Sequence, residues 1–295
     1  MEIQSIVNDT LCNLLIASDY IENYLLEDPH LANNFVQIIK NLKNRFIIKN
    51  NKLCNSDGSV AKLPIELSLK NRMGALQRSE IVKVLNNHFY SFEIRMDDSY
   101  EHQRIIFFVY DKTFQSIIMT YGFTKQNGIK ITDTTNFAGN KTDFIRNDVY
   151  INDNEELWRG MRNMQLNILD KLLQKKQPQI YEKVHSPQYD LSTELLKLRT
   201  ENNLSVEEFS SMIGVTEKEY LDFEFGELNK TIDEYNQLIN SAKKKIAFRN
   251  YIGSELKDFV LTGEIRTSAG YKWPEEEQSW DRKETMNSKG LALVN

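Results

Sequence analysis

The feature that most constrains the fold is a pair of capped helical segments in the C-terminal half of the chain. Ser205 precedes the first segment and Glu208 follows three residues later, which is the capping-box arrangement that starts a helix. Gly214 supplies the permissive backbone of a tight turn, and Val215 has the apolar side chain expected beneath it. Thr216 then stands as the N-cap of the second segment. The pattern predicts two short helices joined by a sharp turn.

This part of the chain, residues 192–242, resembles the lambda-repressor-like helix-turn-helix family. That family has a first helix, a turn opening in Leu-Thr or Leu-Ser, a scaffold helix, Gly-Val, and a recognition helix closing in Glu-x-Gly. The resemblance implies an all-α domain, which we place at residues 191–245. The matching residues are Leu195, Leu198, Arg199, Leu204, Ser205, Gly214, Val215, Thr216, Tyr220, Phe223, Glu224 and Gly226.

The recognition helix of this family enters the major groove, where phosphate contacts dominate affinity. The matching positions here are Glu217, Lys218, Glu219 and Asp222, and three of these four are acidic. The scaffold-helix position that often carries a phosphate-contacting Gln is Val206. Carboxylates repel phosphates, so we expect the fold to be kept, DNA binding to be weak or lost, and the helix to serve as a protein-binding surface.

Three segments rich in aromatic and β-branched residues predict an antiparallel sheet in the N-terminal half. They are YSFEIRM (90–96), RIIFFVY (104–110) and QSIIMTY (115–121), and the links between them suit hairpins. We predict helices elsewhere by apolar periodicity, a loop over the turn-rich 50–60, and a long loop over the polar 126–152. The predicted helices are 4–26 and 30–48, which form a hairpin around Asp28-Pro29, then 79–86, 154–176 and 246–261.

Residues 89–126 resemble the RelE/HigB toxins, which are small ribonucleases that cut mRNA, commonly on the ribosome. Phe92-Glu93-Ile94-Arg95 stands where the family has Leu-x-Glu-Leu-Arg. Gln103-Arg104-Ile105 matches Tyr-Arg-Ile/Val, and Tyr121-Gly122-Phe123-Thr124-Lys125 matches Gly-Phe-x-Lys-Lys. The resemblance implies an α+β fold, with an N-terminal helical hairpin plus antiparallel sheet followed by the all-α helix-turn-helix domain.

The lengths of the hairpin links give an approximate strand register. They place Arg104 opposite about Met96 and Tyr121 opposite about Arg104, so that Arg95, Arg104 and Lys125 lie at one end of the sheet. With these cations the resemblance implies attack of a 2′-hydroxyl on the adjacent phosphate, with Tyr121 stacking on a base or transferring a proton. The competing interpretation is that the arginines form surface ion pairs, with Glu93 as a partner.

The chain also departs from the toxin pattern. Gln126 stands at the second Lys of the family motif, and the 126–152 loop replaces the closing helix. Lys130 and Lys141 are the candidate RNA-binding substitutes. The toxins often start with a strand, whereas this chain reads as starting with a helix. A degenerate toxin that binds RNA or the ribosome without cutting fits these departures as well.

Charge is distributed unevenly along the chain. Residues 1–39 hold six acids and no Lys or Arg, residues 40–130 have a net charge of +7, and residues 190–240 have a net charge of −8. The basic block suggests a surface for a polyanion, and the acidic block a surface that covers it. Solvated faces are the alternative.

Several classes of protein are disfavoured by the sequence. No secretory signal, membrane span or paired-cysteine spacing is evident, so we expect a cytoplasmic protein with isolated thiols. The four histidines are scattered without metal-ligand spacing, and there is no Gly-rich phosphate loop, so we expect no metal and no cofactor.

Together these patterns predict a fused toxin–antitoxin-like protein. Residues 1–176 would be a metal-independent endoribonuclease, 177–190 a linker, and 246–295 a helix and polar tail. The acidic helix-turn-helix domain would restrain the ribonuclease. The expected partners are mRNA or the ribosome and an intramolecular toxin–antitoxin contact, with a homodimer left open. The alternatives are a transcriptional regulator and a non-catalytic adaptor, each with an N-terminal sensing or partner-binding domain.

Overall fold

The structure is a computed structural model that describes residues 2–5, 15–97, 101–112, 115–126, 132–152 and 168–262. The chain divides into two compact units, Met1–Lys243 and Lys244–Asn295. The described part of the second unit is helical from 244 to 262. None of the described helices has the length and apolarity that would let it span a bilayer. The predicted polar tail beyond residue 262 lies outside the described residues.

The first unit combines one large mixed sheet with helices, so the α+β class is confirmed. Its described strands are β1 (Glu2–Ser5), β2 (Leu15–Ile16), β3 (Phe46–Lys49), β4 (Lys52–Asn55), β5 (Ile65–Lys70), β6 (Leu76–Leu85), β7 (His88–Asp97), β8 (Glu101–Tyr110) and β9 (Ser116–Gln126). The large sheet runs β1-β9-β8-β7-β6-β5, with β2 also paired to β9, and β3 and β4 form a separate hairpin. Strand β1 is parallel to β9, and β5 to β9 are antiparallel to their neighbours.

The three predicted strands exist as β7, β8 and β9, but the predicted register is wrong. Arg95 lies opposite Arg104, one residue from the predicted pairing. Phe123, not Tyr121, lies opposite Arg104. A register shift between Ile106 and Phe107 contributes to the second error, because a bulge adds a residue that link lengths do not reveal. The true register puts Arg95 and Arg104 on the same face of the sheet.

One face of the sheet is covered by helix α2 (Pro29–Arg45), which follows the short helix α1 (Ala17–Tyr20) and a π-helical turn, Ile21–Leu25. Asp28 caps α2 by accepting hydrogen bonds from the backbone N–H groups of His30 and Leu31, and Pro29 occupies the first turn. The predicted apolar stripe of α2 packs in the main core against alternate residues of the strands, such as Phe92, Ile94, Ile105 and Phe107.

The opposite face of the sheet is covered by helix α3 (Thr132–Asn152). The long loop predicted over 126–152 is therefore wrong. Ala138, Thr142 and Ile145 repeat at helical spacing and lie against the sheet, but polar residues interrupt the stripe and conceal its periodicity. Ser91 and His88 anchor α3 by contacting the Asp143 carboxylate at 2.8 and 2.6 Å.

Three other N-terminal predictions are also wrong. Glu2–Ser5 is a strand and not part of a helix, since it pairs with β9, a contact that local periodicity cannot show. Leu76–Leu85 is a long strand between β5 and β7 and not a helix, and β4 lies inside the loop predicted over 50–60. The helix predicted over 30–48 is confirmed from Pro29 to Arg45.

The described part of the chain from residue 168 to 262 is mainly helical, including the segment predicted as a linker. The described helices are α4 (Ile168–Lys176), α5 (Pro178–Val184), α6 (Pro187–Glu201), α7 (Val206–Ile213), α8 (Glu217–Glu224) and α9 (Ile232–Thr262). Prolines at 178 and 187 start helices at their first turn instead of interrupting them. The predicted linker therefore becomes a helical connection within one compact unit.

The predicted caps of α7 and α8 are confirmed. Ser205 and Glu208 form the reciprocal capping box, and the Thr216 side chain accepts from the Glu219 N–H. Gly214 has a φ of 81°, the left-handed conformation that a turn between the helices requires. A buried ion pair closes this group of helices, since Arg199 donates to both Glu224 carboxylate oxygens at 3.0 and 3.1 Å.

We expect Arg199→Met to destabilise the protein by about 3–5 kcal/mol, because it leaves the buried Glu224 carboxylate without its cation. Urea denaturation of the full chain measures the loss. Lys243→Met is the matched control, because the Lys243–Glu194 pair is half-exposed and contributes within about 1 kcal/mol. Equal losses in the two variants would contradict the assignment of Arg199 as a buried anchor.

Candidate functional site

A cluster of charged side chains lies at one end of the sheet, on the face that α3 covers farther along. We call it the sheet-end cluster, and it comprises Arg95, Arg104, Lys125, Glu80, Glu93, Asp97 and His102. Register places its members together: Arg95 lies opposite Arg104, Asp97 opposite His102, and His102 opposite Lys125. Three predicted catalytic cations are therefore neighbours on one face.

The carboxylates of the cluster pair with both arginines. Arg95 contacts Glu80 at 2.8 Å, Asp97 at 3.5 Å and Glu93 at 3.6 Å. Arg104 contacts Asp97 at 2.5 Å and Glu93 at 3.8 Å. Glu93 is therefore not the only carboxylate among the cations, because the register and strand β6 bring Asp97 and Glu80 beside them.

The cluster is formally balanced in charge, with three cations and three carboxylates. The Arg104 side chain is nearly buried at 4% exposure, and Arg95 retains 21%. Neither arginine Nε has a hydrogen-bond partner within the described residues. Both Nε atoms are buried and lie near Glu93, at 3.6 Å for Arg95 and 3.8 Å for Arg104, so Glu93 is their electrostatic partner.

Lys125 differs from the two arginines. Within the described residues it has no carboxylate within salt-bridge distance, and its ammonium lies 5.8 Å from the Phe123 ring centre. Burial lowers the pKa of Lys125, and Arg104 and Arg95 lower it further, against the opposing effect of Glu93 and Asp97. Lys125 is therefore the cation of the cluster that would bind an incoming anion without first breaking an ion pair.

Tyr121 does not belong to the cluster. It lies opposite Ile106, is 4% exposed, and packs in the small core under α3 with Phe123 and Ala138. A base cannot stack on the Tyr121 ring where it lies, because the ring is buried beneath α3. The two-residue register error explains the misplacement.

His102 is a member of the cluster that sequence reasoning missed. Its Nδ1 lies 3.1 Å from an Asp97 oxygen, beside the Arg104 guanidinium. Asp97 and His102 are the last and second residues of neighbouring strands, so only the pairing of β7 with β8 brings them together. A His-Asp pair next to cations is an arrangement that supports proton transfer.

Of the two predicted RNA-binding lysines, the structure describes only Lys141, which is not part of the cluster. Lys141 lies on α3 with its ammonium 5.9 Å from the Phe137 ring centre. Lys130 lies outside the described residues. Among the residues described, no group of three His, Cys, Asp or Glu side chains is arranged to hold a metal ion.

The predicted recognition residues divide into two groups on α8. Glu217, Lys218 and Glu219 are exposed at the start of the helix. Asp222 instead pairs with Lys70 at 3.0 Å, and Lys70 also contacts Glu227 at 2.9 Å. Although burial opposes it, these hydrogen bonds raise the pKa of Lys70. Asp222 therefore contacts the sheet domain and is not part of an outward-facing recognition surface.

The strongest contact between the C-terminal helices and the sheet domain is a buried lysine on α2. The Lys40 ammonium donates to Ser192 Oγ at 2.5 Å and to the Glu224 carbonyl at 2.6 Å, and lies 4.5 Å from the Tyr189 ring centre. The Gln37 amide donates to the Phe225 carbonyl at 3.1 Å. The C-terminal helices are thus docked on α2 through polar groups that are fully enclosed.

This docking surface and the sheet-end cluster occupy opposite faces of the sheet. Successive strand residues face opposite sides, so Ile105 lies in the α2 core while Arg104 lies on the α3 side. Within the described residues, no ion pair links an acid of residues 187–243 to Arg95, Arg104 or Lys125. Within the basic block of residues 40–130, the residues that the acidic helices contact include Lys40 and Lys70.

Comparison of the chain with protein-family profiles, curated proteins and solved structures finds no match. Its function is therefore inferred from the geometry of its own residues.

We expect stability to depend on pH through Lys40. Burial lowers its pKa from 10.5 to about 7, with Lys183 adding to the effect and Glu224 opposing it. Between these values the unfolded chain binds a proton that the folded chain does not, so stability rises with pH, by at most about 1.4 kcal/mol per pH unit.

Urea denaturation of the full chain at pH 7.5 and 9.5 measures the free energy of unfolding at each pH. We expect it to rise less with pH in Lys40→Met than in the unmodified chain, because the variant lacks the titrating amine. Lys43→Met is the control, being an exposed lysine on the same helix. An unchanged rise in Lys40→Met would show that Lys40 does not titrate in this range.

Proposed function

We propose that the chain is a fused toxin–antitoxin-like protein whose sheet domain acts on single-stranded RNA at the sheet-end cluster, as a metal-independent endoribonuclease of the RelE/HigB kind. The observation that carries the proposal is the placement of Arg95, Arg104 and Lys125 on one face at one end of the sheet. Clustered cations bind phosphate and stabilise charge that develops on it.

Two further features support the proposal because they remove departures from the toxin pattern. The chain has an N-terminal strand, β1, where the sequence reads as a helix. It also has a helix, α3, after the third Arg/Lys-bearing strand, where the sequence reads as a loop. The described order is strand, helices, antiparallel strands and closing helix, with the β3–β4 hairpin and strands β5 and β6 as additions.

The arrangement suggests how the residues divide the chemistry. An RNA phosphate accepts hydrogen bonds from Lys125 and the two arginines. The carboxylates that pair with the arginines stay beside the bound phosphate. His102, held through Nδ1 by Asp97, accepts the proton of the attacking 2′-hydroxyl. The 2′-oxygen then bonds to phosphorus and the 5′-oxygen leaves with a proton, giving a 2′,3′-cyclic phosphate. The cations stabilise the charge on the phosphate oxygens.

The C-terminal helices take the antitoxin-like role in this proposal without covering the cluster. They bind α2 on the other face, so restraint acts through the position of α2 and the strands beneath it. Removing residues 177–295 would expose the buried polar groups of α2, Gln37 and Lys40 among them. The full chain is therefore the form to test.

The test is binding and cleavage of a labelled single-stranded RNA by the full chain in EDTA. We expect the triple variant Arg95→Ala/Arg104→Ala/Lys125→Ala to lose at least about a hundredfold in cleavage rate, since a single stabilising donor commonly contributes that much. Arg78→Ala is the control, because Arg78 is an exposed cation of strand β6 that pairs with Glu66 of the edge strand β5. Cleavage that survives the triple substitution would exclude the cluster as the active site.

Asp97→Asn separates binding from chemistry. It removes a carboxylate that neutralises Arg104 and Arg95, so we expect tighter RNA binding with a steeper salt dependence. It also removes the charge that orients His102, so we expect slower cleavage with a shifted pH–rate profile. Weaker binding in a folded Asp97→Asn variant would contradict the neutralised-cluster interpretation.

A further inference from the structure

A cavity of about 290 Å³ lies at the same end of the sheet, between the N-terminal turn of α2 and strands β5 to β8. His30 contributes from α2, Leu69 from β5, Gln77 and Ser79 from β6, and Met96 from β7. Gln77 and Ser79 lie opposite Leu69 and Leu67 on the α2 face, so the cavity opens on that side. None of these five residues belongs to the sheet-end cluster.

The cavity nevertheless adjoins the cluster, because Asp97 and His102 line it. The same Asp97 oxygen contacts Arg104 at 2.5 Å and His102 at 3.1 Å. One wall of the cavity is therefore made by the residues that hold the cations in place. Asp97 and His102, at the end of the sheet, are therefore shared by the cavity on one face and the cluster on the other.

The lining combines apolar surface with unused hydrogen-bonding groups. Leu69 and Met96 are apolar, while the Gln77 and Ser79 side chains have no hydrogen-bond partner among the described residues. His30 Nε2 lies 2.6 Å from the Lys70 carbonyl and 3.2 Å from the Asn34 amide nitrogen, so this side of the ring is already bonded within the protein. Such a lining suits a small planar ligand with donors and acceptors on its edge.

We propose that the cavity is a base-binding site, which takes one unstacked nucleobase of the RNA strand whose neighbouring phosphate is bound by the sheet-end cluster. This inference rests on the proposed function, and it adds that the enzyme selects its RNA by base. Single-stranded RNA is recognised through bases that leave the stack and form hydrogen bonds along their edges. The volume lies at the lower limit for ligand pockets, which suits one base and excludes a base pair.

The first test measures direct binding of the four free nucleosides to the full chain. Binding is detected as broadening of the NMR lines of each nucleoside. Nucleosides carry no phosphate, so this measurement is independent of the cluster. We expect one nucleoside to bind in preference to the others. Ser79→Leu on β6 should abolish that binding by filling the cavity. Ser68→Leu is the matched control, because Ser68 lies on the neighbouring strand β5 with its side chain on the other face of the sheet, and it should leave binding intact. Absence of nucleoside binding, or equal binding by both variants, would overturn the inference.

The second test uses four single-stranded homopolymers and fluorescence anisotropy. We expect a preference of roughly tenfold for one of them, reduced to about twofold in folded Ser79→Leu and kept in Ser68→Leu. The Arg95→Ala/Arg104→Ala/Lys125→Ala variant should weaken all four equally. A preference that persists in Ser79→Leu overturns the base site while the proposed function stands. Nucleoside binding without RNA binding or cleavage supports the base site and rejects the proposed function.

Discussion

The rest of the structure depends on helix α2 being buried on two sides. Its apolar side packs on the sheet, as an amphipathic helix should, but its polar side is enclosed by the C-terminal helices. Lys40 is 3% exposed and Gln37 is 1% exposed. An enclosed ammonium is costly unless it is hydrogen-bonded, and here Ser192 and the Glu224 carbonyl supply the bonds. Removing the C-terminal helices would therefore leave α2 with polar groups whose partners are gone, and these contacts lie within one compact unit, Met1–Lys243.

The sheet-end cluster illustrates how much a charge pattern leaves open. Sequence motifs place three cations together, and the structure does so too, yet it also adds as many carboxylates. The ion-pair interpretation predicted carboxylate partners for the arginines, and it accounts for the contacts that Arg95 and Arg104 make in the structure. It does not account for Lys125, whose ammonium has no carboxylate within salt-bridge distance among the described residues. Under the proposed function, Lys125 is the cation that a phosphate would meet first, and the ion pairs of the two arginines are those of the site without an anion.

Local signals predicted local structure well. The caps at Ser205 and Thr216, the turn at Gly214 and the helix after Asp28 follow from nearest-neighbour chemistry, and all are present. Long-range pairing was not predictable in the same way. Strand β1 is defined by its partner β9 more than a hundred residues away, and the bulge after Ile106 displaced Tyr121 from the site. The Asp97–His102 pair and the cavity beside it exist because strands align in one register, which no short motif encodes.

Lys70 contacts both the C-terminal helices and the residues that line the cavity. Its ammonium pairs with Asp222 and Glu227 of the C-terminal helices. Its carbonyl lies within hydrogen-bonding distance of His30 and Asn34 at the cavity. Displacement of the C-terminal helices would free the Lys70 side chain at a point where its own backbone positions the cavity wall. Because Asp97 and His102 form the far wall of that cavity, a change in docking reaches the sheet-end cluster through the cavity, across the edge of the sheet and without direct contact. Under the proposed function, restraint by the C-terminal helices would have to act through these shared residues, because no ion pair links these helices to Arg95, Arg104 or Lys125 in the described part of the chain.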